Sequence, residues 1–233
     1  MARLPRLAVA GWPHHLVQRT HPGQALVHDD TDRQAWQRAL REGAVGAGVA
    51  IHAYALLDDC FHLVATPERA ESLSQMMQAL GRRYVAVFNR RHGRAGGLWA
   101  GRFRATVLEP ERHLLPAMVH VERRPVDAGL VRQPADHAWS SCAHHLGQRR
   151  DPLVADPAPY WALGNTPFER EAAWRRLLDE GLPAAERDAL EQATHLGWAL
   201  GGADFLKRLE QPGSRPLAPR PRGRPRGGDN KAA

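Results

Sequence analysis

The sequence predicts an α+β chain built on an antiparallel sheet with helices on one face. Three observations carry this. Strand-type and helical-type runs follow one another in the order β-α-β-β-α-β-α. Asp58-Asp59 forms a turn that joins two adjacent strand runs into a hairpin. The apolar residues of the long intervening segments recur at helical spacing. The first six elements match the split βαβ, ferredoxin-like arrangement.

His14 to Arg19 reads as the first strand. Asp30-Thr31-Asp32 offers a helix N-cap, and Ala35, Trp36, Ala39 and Leu40 fall at helical intervals. Gly43, Gly46 and Gly48 are expected to end that helix. Val49 to Leu57 is the second strand and Cys60 to Thr66 the third. A long helix follows from about Ser72 to Arg91, with Leu73, Met76, Met77, Leu80, Tyr84, Val87 and Phe88 in register. A Gly-rich loop leads to a strand at Phe103 to Glu109. Pro110-Glu111 opens another helix through Arg123, with Pro116 expected to bend it. Residues 168–180 and 184–209 read as further helices, in a region punctuated by Leu163-Gly164, Leu196-Gly197 and Ala203 to Leu206. Residues 1–150 therefore form the main domain, 151–210 a smaller helical region, and 211–233 a tail.

The chain of 233 residues is 43% hydrophobic, enough for a globular core. No apolar run reaches the roughly 18 residues of a membrane span, and the N-terminus lacks a long apolar leader. Two cysteines, Cys60 and Cys142, argue against a disulfide framework and fit a reducing cytoplasm. Net charge is +7, and lysine occurs only at 207 and 231. Arginine grips phosphate through a planar fork, so nucleic acid is the first partner to consider. A GC-rich genome equally accounts for many arginines, but not for where they sit. The tail carries six Arg or Lys against one Asp and is expected to be disordered alone.

Cys60 and His62 lie two apart on a strand, so they share a face and could grip one metal ion, with Asp58 or Asp59 nearby. A lone cysteine at a strand start also reads as a small buried apolar residue. The stretches ARLPRL (2–7), HAYALLDDCFHLVATP (52–67), LSQMMQALGRRYVAVFNRRHGRAGGLWAGRFRA (73–105), RPVDAGLVRQPADHAWSS (124–141) and RGRP (222–225) resemble the REP-associated tyrosine transposases, a branch of the single-tyrosine HUH nucleases. The resemblance implies hairpin or single-stranded DNA as partner. It also implies a Mg²⁺ or Mn²⁺ held by a His-hydrophobic-His strand, and a helix-borne tyrosine that forms a covalent phosphotyrosine link.

Laid on that pattern, the metal pair becomes Cys60-Phe61-His62. The nucleophile position becomes His120, and the asparagine one turn later becomes Arg124. A thiolate suits Zn²⁺ or Cu⁺ better than Mg²⁺. A guanidinium about 4 Å from a cation is repelled by roughly 4 kcal/mol per unit charge at an intermediate dielectric. Strand cleavage is therefore expected to be weakened or lost, and the divalent metal of the resemblance is doubtful here. Two alternatives stay open: an active strand transferase using a Cys/His metal site with His120 or a displaced tyrosine (Tyr54, Tyr84 or Tyr160), and a domesticated nucleic-acid-binding regulator. Adjacent histidines such as His14-His15 and His144-His145 point opposite ways on a strand and make poor chelating pairs.

For DNA contact the candidates are Arg82, Arg83, Arg90, Arg91, Arg94, Trp99, Arg102 and Arg104 around the Gly-rich loop. The alternative is a solvated helix face over a buried aromatic core. Arg222 and Arg224 flank Gly223 in an AT-hook-like core that suits a narrow minor groove. The oligomer is a monomer or a homodimer.

Overall fold

The computed structural model describes residues 6–210 and 215–218. The AT-hook-like segment with Arg222 and Arg224 lies outside the described residues. Strands β1 (His14–Arg19), β2 (Val49–Leu56), β3 (Cys60–Pro67) and β4 (Arg104–Val107) form one sheet in the order β2-β3-β1-β4. Every neighbouring pair is antiparallel. This is the split βαβ topology: β3 returns between β1 and β2.

Helices α1 (Asp30–Ala47) and α2 (Ser72–Arg91) cover one face. Phe61, Leu63 and Ala65 of β3 meet Trp36 and Leu40 of α1 and Met76, Leu80, Tyr84 and Phe88 of α2 in one buried cluster. The other face of β3, with Cys60 and Val64, meets Leu114, Ala117, Met118 and Val121 of α3 (Pro110–Asp127). So the two crossover helices lie on one face as expected, and α3 covers part of the other. The period of two along β3 separates these two cores.

Besides β4, which spans only Arg104–Val107, and α3, which runs on to Asp127, three boundaries differ informatively from the sequence reading. The N-cap of α1 is Asp29, whose side chain accepts from the Asp32 N–H, rather than a residue of 30–32. Gly43 and Gly46 lie inside α1, which runs to Ala47. A Cβ on Gly43 would sit 3.1 Å from the Met76 carbonyl oxygen, so the glycine lets α1 and α2 approach closely. Gly48 alone ends the helix, at φ +65° in the left-handed region. The third difference is downstream: the stretch read as 184–209 is two helices, α7 (Ala184–Leu196) and α8 (Ala203–Leu209), parted at Gly197.

A 3₁₀ turn (Pro134–Asp136) and the short helices α4 (Cys142–His145) and α5 (Ala158–Trp161) precede α6 (Pro167–Glu180). Helix α3 continues through Pro116 and Pro125 and is buried on two sides. Its outer side carries Glu122, which has no exposed surface. That carboxylate accepts from Ser141 Oγ at 2.5 Å, His145 Nδ1 at 2.6 Å and Trp174 Nε1 at 2.9 Å. Residues on α3, α4 and α6 thereby converge on one buried charge. Burial opposes the charge on His145, but Glu122 and Asp156 outweigh it and raise its pKa to about 9.

Two outcomes follow for this hub. Glu122→Ala leaves an imidazolium and an indole N–H buried without their partner, so unfolding in urea should show a loss of about 3–5 kcal/mol. The raised His145 pKa gives stability that is complete below the ordinary value of 6.5 and is lost as pH rises toward about 9. Glu122→Gln should remove that alkaline decline. A parent-like decline in the variant would separate His145 from Glu122.

Candidate functional site

His15 of β1 sits opposite Val64 of β3, and Val17 sits opposite His62. His15 and His62 are therefore diagonal neighbours on the face that α3 covers. On α3, His120 and Arg124 lie one turn apart and look the same way. The rings of His15 and His62 stack at 5.5 Å between centroids, and His120 stands edge-on to both, at 5.5 and 6.1 Å. One nitrogen from each ring lies within 4.8 Å of the other two.

The hydrogen bonds fix part of the proton inventory. Thr194 Oγ1 of α7 donates to the Leu190 carbonyl at 2.7 Å. Its one proton is thereby used, so at 2.8 Å it accepts from His15 Nδ1. His15 Nε2 then carries a lone pair, which accepts a long 3.3 Å bond from His62 Nδ1. His62 Nε2 and His120 Nε2 are buried with no hydrogen-bond partner. The nearest carboxylate to His120 Nε2 is Glu191, at 3.8 Å.

Burial is the main reason these rings stay neutral. It holds His15 well below the ordinary imidazole value, reinforced by His120 and Arg124. Burial does the same for His62, helped by His15 and Arg124. It lowers His120 to about 3, with Arg124 and Arg187 adding to the effect.

Of the sequence-predicted residues, the structure brings His62, His120 and Arg124 together. Arg124 bonds Glu191 at 3.3 Å and faces Asp127 at 3.5 Å, so two carboxylates answer its charge. Cys60 shares the face but does not join the imidazole group. Burial pushes its thiol up to about 12, which makes it a buried apolar residue in character. Asp59 pairs with Arg19 at 3.6 Å and Asp58 with Arg33 at 3.1 Å, both at the surface. This donor set of imidazoles does not suit Mg²⁺, which takes oxygen ligands in octahedral array.

His15 is the member that sequence reasoning set aside. The adjacent pair His14-His15 does point opposite ways, since His14 Nδ1 bonds the Trp12 carbonyl at 2.7 Å. His15 finds its partner across the sheet instead. The strand period was the available signal, but only with the β1–β3 register known.

A cleft of about 660 Å³ opens over this face. Arg19, Arg102, Arg104 and Arg124 line it, against the acids Asp188 and Glu191. Its far wall is α7, whose Asp188, Glu191, Gln192 and His195 follow helical spacing. Arg102 and Arg104 from the Gly-rich loop region thus reach the cleft.

The other loop-region candidates do not line the cleft. Arg91 bonds Asp29 and Asp32, Arg83 pairs with Glu42 at 3.4 Å, and Arg94 donates to Gln24. Arg82 and Arg90 are exposed on α2, which packs on the opposite side of the sheet. Trp99 is half-buried with its ring edge against Phe61. None of the three tyrosines lines the cleft. Tyr54 donates to Asp151 at 2.6 Å, Tyr84 to the Leu26 carbonyl at 2.5 Å, and Tyr160 to the His145 carbonyl at 2.9 Å.

Three imidazoles that refuse protons when folded but accept them when unfolded make acid destabilising. With a chelator present, the urea midpoint should fall as pH drops from 6.5 toward about 3, and His120→Gln should flatten that decline. An unchanged acid limb in the variant would mean that His120 is solvated.

No protein-family model matches the chain, and no curated protein matches it in sequence. Among solved structures, a REP-associated tyrosine transposase bound to a REP hairpin is similar at TM-score 0.53, with 17% identity over 67% of this chain and 92% of that one. A protein described as a transposase from Deinococcus radiodurans is 24% identical over 48% of this chain and 90% of that one, but its TM-score of 0.35 carries no weight. The chain has the fold of a REP-associated tyrosine transposase.

Proposed function

We propose that this chain binds DNA, as a hairpin or a single strand, in the arginine-lined cleft, and that the strand cleavage of tyrosine transposases is impaired or lost in it. The observation that carries this is a cleft walled by four arginines with no tyrosine among its lining residues. Guanidinium groups on two sides of a groove suit a phosphate backbone. The solved structure of similar fold is bound to a REP hairpin. Arg222 and Arg224 would add sequence-independent attraction from the tail.

The chemistry of cleavage is less well served. A nucleophile must reach an incoming phosphorus. His120 holds the position that the resemblance gives to tyrosine, yet it is only 2% exposed and does not line the cleft. Arg124 replaces a neutral metal-side amide with a fixed cation. Its guanidinium lines the cleft, where it would meet a phosphate directly.

The test is binding to a hairpin-bearing single strand across a salt series. Arg102→Ala and Arg104→Ala should each weaken binding about tenfold or more. Each should also reduce the salt slope by about 0.7 for a single strand. Arg83→Ala, whose partner Glu42 holds it away from the cleft, should change little. Equal losses from all three, or no binding by the parent, would refute the assignment of the cleft. An RNA hairpin that outcompetes the DNA would replace the substrate class.

A further inference from the structure

Three buried imidazoles that face one another call for a reason. His15, His62 and His120 are 1%, 3% and 2% exposed. Their only polar contacts with one another are the long His15–His62 bond and ring edges. Two ring nitrogens, His62 Nε2 and His120 Nε2, have no partner. Leaving a buried polar group unpaired costs about 1–3 kcal/mol. Apolar side chains would fill the same space without that cost.

We propose that His15, His62 and His120 form a three-nitrogen site for a borderline divalent transition metal of the Zn²⁺ or Co²⁺ class, with its fourth position open to the arginine-lined cleft. Neutral imidazoles are the ligands such ions prefer. In a tetrahedral site with Zn–N bonds of 2.0–2.1 Å, ligand nitrogens stand about 3.4 Å apart. The facing nitrogens of His15 and His62 are already at 3.3 Å, and moving the His62 proton from Nδ1 to its unpartnered Nε2 frees the Nδ1 lone pair for the ion. The third ring offers a nitrogen within 4.8 Å of both, so a small inward shift closes the set.

The surroundings support a cation despite the arginines. Glu191 and Asp127 offset Arg124, and Asp59 offsets Arg19. Thr194 accepts from His15 Nδ1–H and so points the His15 Nε2 lone pair inward, which is how outer-shell partners orient metal-bound histidines. His15 and His62 also line the cleft, so an ion held there would be reachable by water or a phosphate oxygen.

A second group, His144, His145 and Asp156, has ligand atoms equally close together. Its ring nitrogens are mostly engaged: His145 Nδ1 is bonded to Glu122 at 2.6 Å, its Nε2 makes no hydrogen bond but faces Asp156 at 3.5 Å, and His144 bonds Asp156 and the Asp151 N–H. His145 is an imidazolium in this setting, which repels a cation. That group therefore serves as an internal control. The proposed site does not depend on DNA occupying the cleft.

Adding Co²⁺ to the metal-free full chain tests the site. One equivalent should bind and give the intense visible bands of a tetrahedral centre, without a thiolate charge-transfer band. Zn²⁺ should displace it, and Mg²⁺ should not. His15→Gln and His62→Gln should each abolish the bands, whereas His144→Gln and Cys60→Ser should leave them intact. Thr194→Val, a milder change, should weaken affinity about 10- to 100-fold. Inorganic phosphate should alter the spectrum by entering the fourth position. A chain that takes up no Co²⁺, a signal that survives His15→Gln, or one lost with His144→Gln would overturn the site. A spectrum indifferent to phosphate would overturn the open fourth position.

Discussion

The placement of helix α3 governs the molecule. A buried carboxylate, Glu122, ties its outer side to Ser141, His145 and Trp174. Its inner side packs Leu114, Ala117, Met118 and Val121 near Ala53, Ala55 and Val64 of the sheet. A helix held on both sides has no freedom to roll. His120 and Arg124 are thereby fixed over β1 and β3, and α7 closes the opposite wall of the cleft. A buried ion pair is a costly anchor, worth keeping where position matters more than net stability.

That fixed position decides which chemistry the face can support. Three neutral imidazoles meet there, and two of them, His62 and His120, hold positions where the resemblance expects a histidine and the tyrosine. Desolvation keeps them uncharged, and Arg124 lies beside them, paired with Glu191. Phosphate binding is favoured by the arginines around the cleft. The proposed impairment of in-line attack on phosphorus rests on the tyrosine phenols, which are spent on internal hydrogen bonds with none at the cleft. Of the substitutions at those positions, only His120 adds a nitrogen to the pocket proposed for a softer ion.

The fold was largely legible because its signals are local. Helix α2 spans Ser72–Arg91 as its apolar period indicates, and the hairpin turns at Asp58-Asp59. Gly43 misled because its role is tertiary: it admits the Met76 backbone rather than ending a helix. The α7–α8 break falls at Leu196-Gly197, a punctuation point of the sequence inside the stretch 184–209 that reads as helix. For the site, the resemblance supplied His62, His120 and Arg124. His15, Thr194 and Glu191 were not legible, since His15 meets partners 47 and 179 residues away. Sequence proximity also gathered the arginines of α2 with Arg102 and Arg104, although the sheet lies between them.

A cleft that binds DNA without a tyrosine should hold the strand and release it uncut. The most direct measurement incubates the chain with a hairpin-bearing single strand and Mn²⁺, then resolves the products on a denaturing gel. Binding in solution with no protein-linked DNA and no cleaved strand is the predicted result. A covalent protein–DNA band would contradict it and return a working nucleophile to this face.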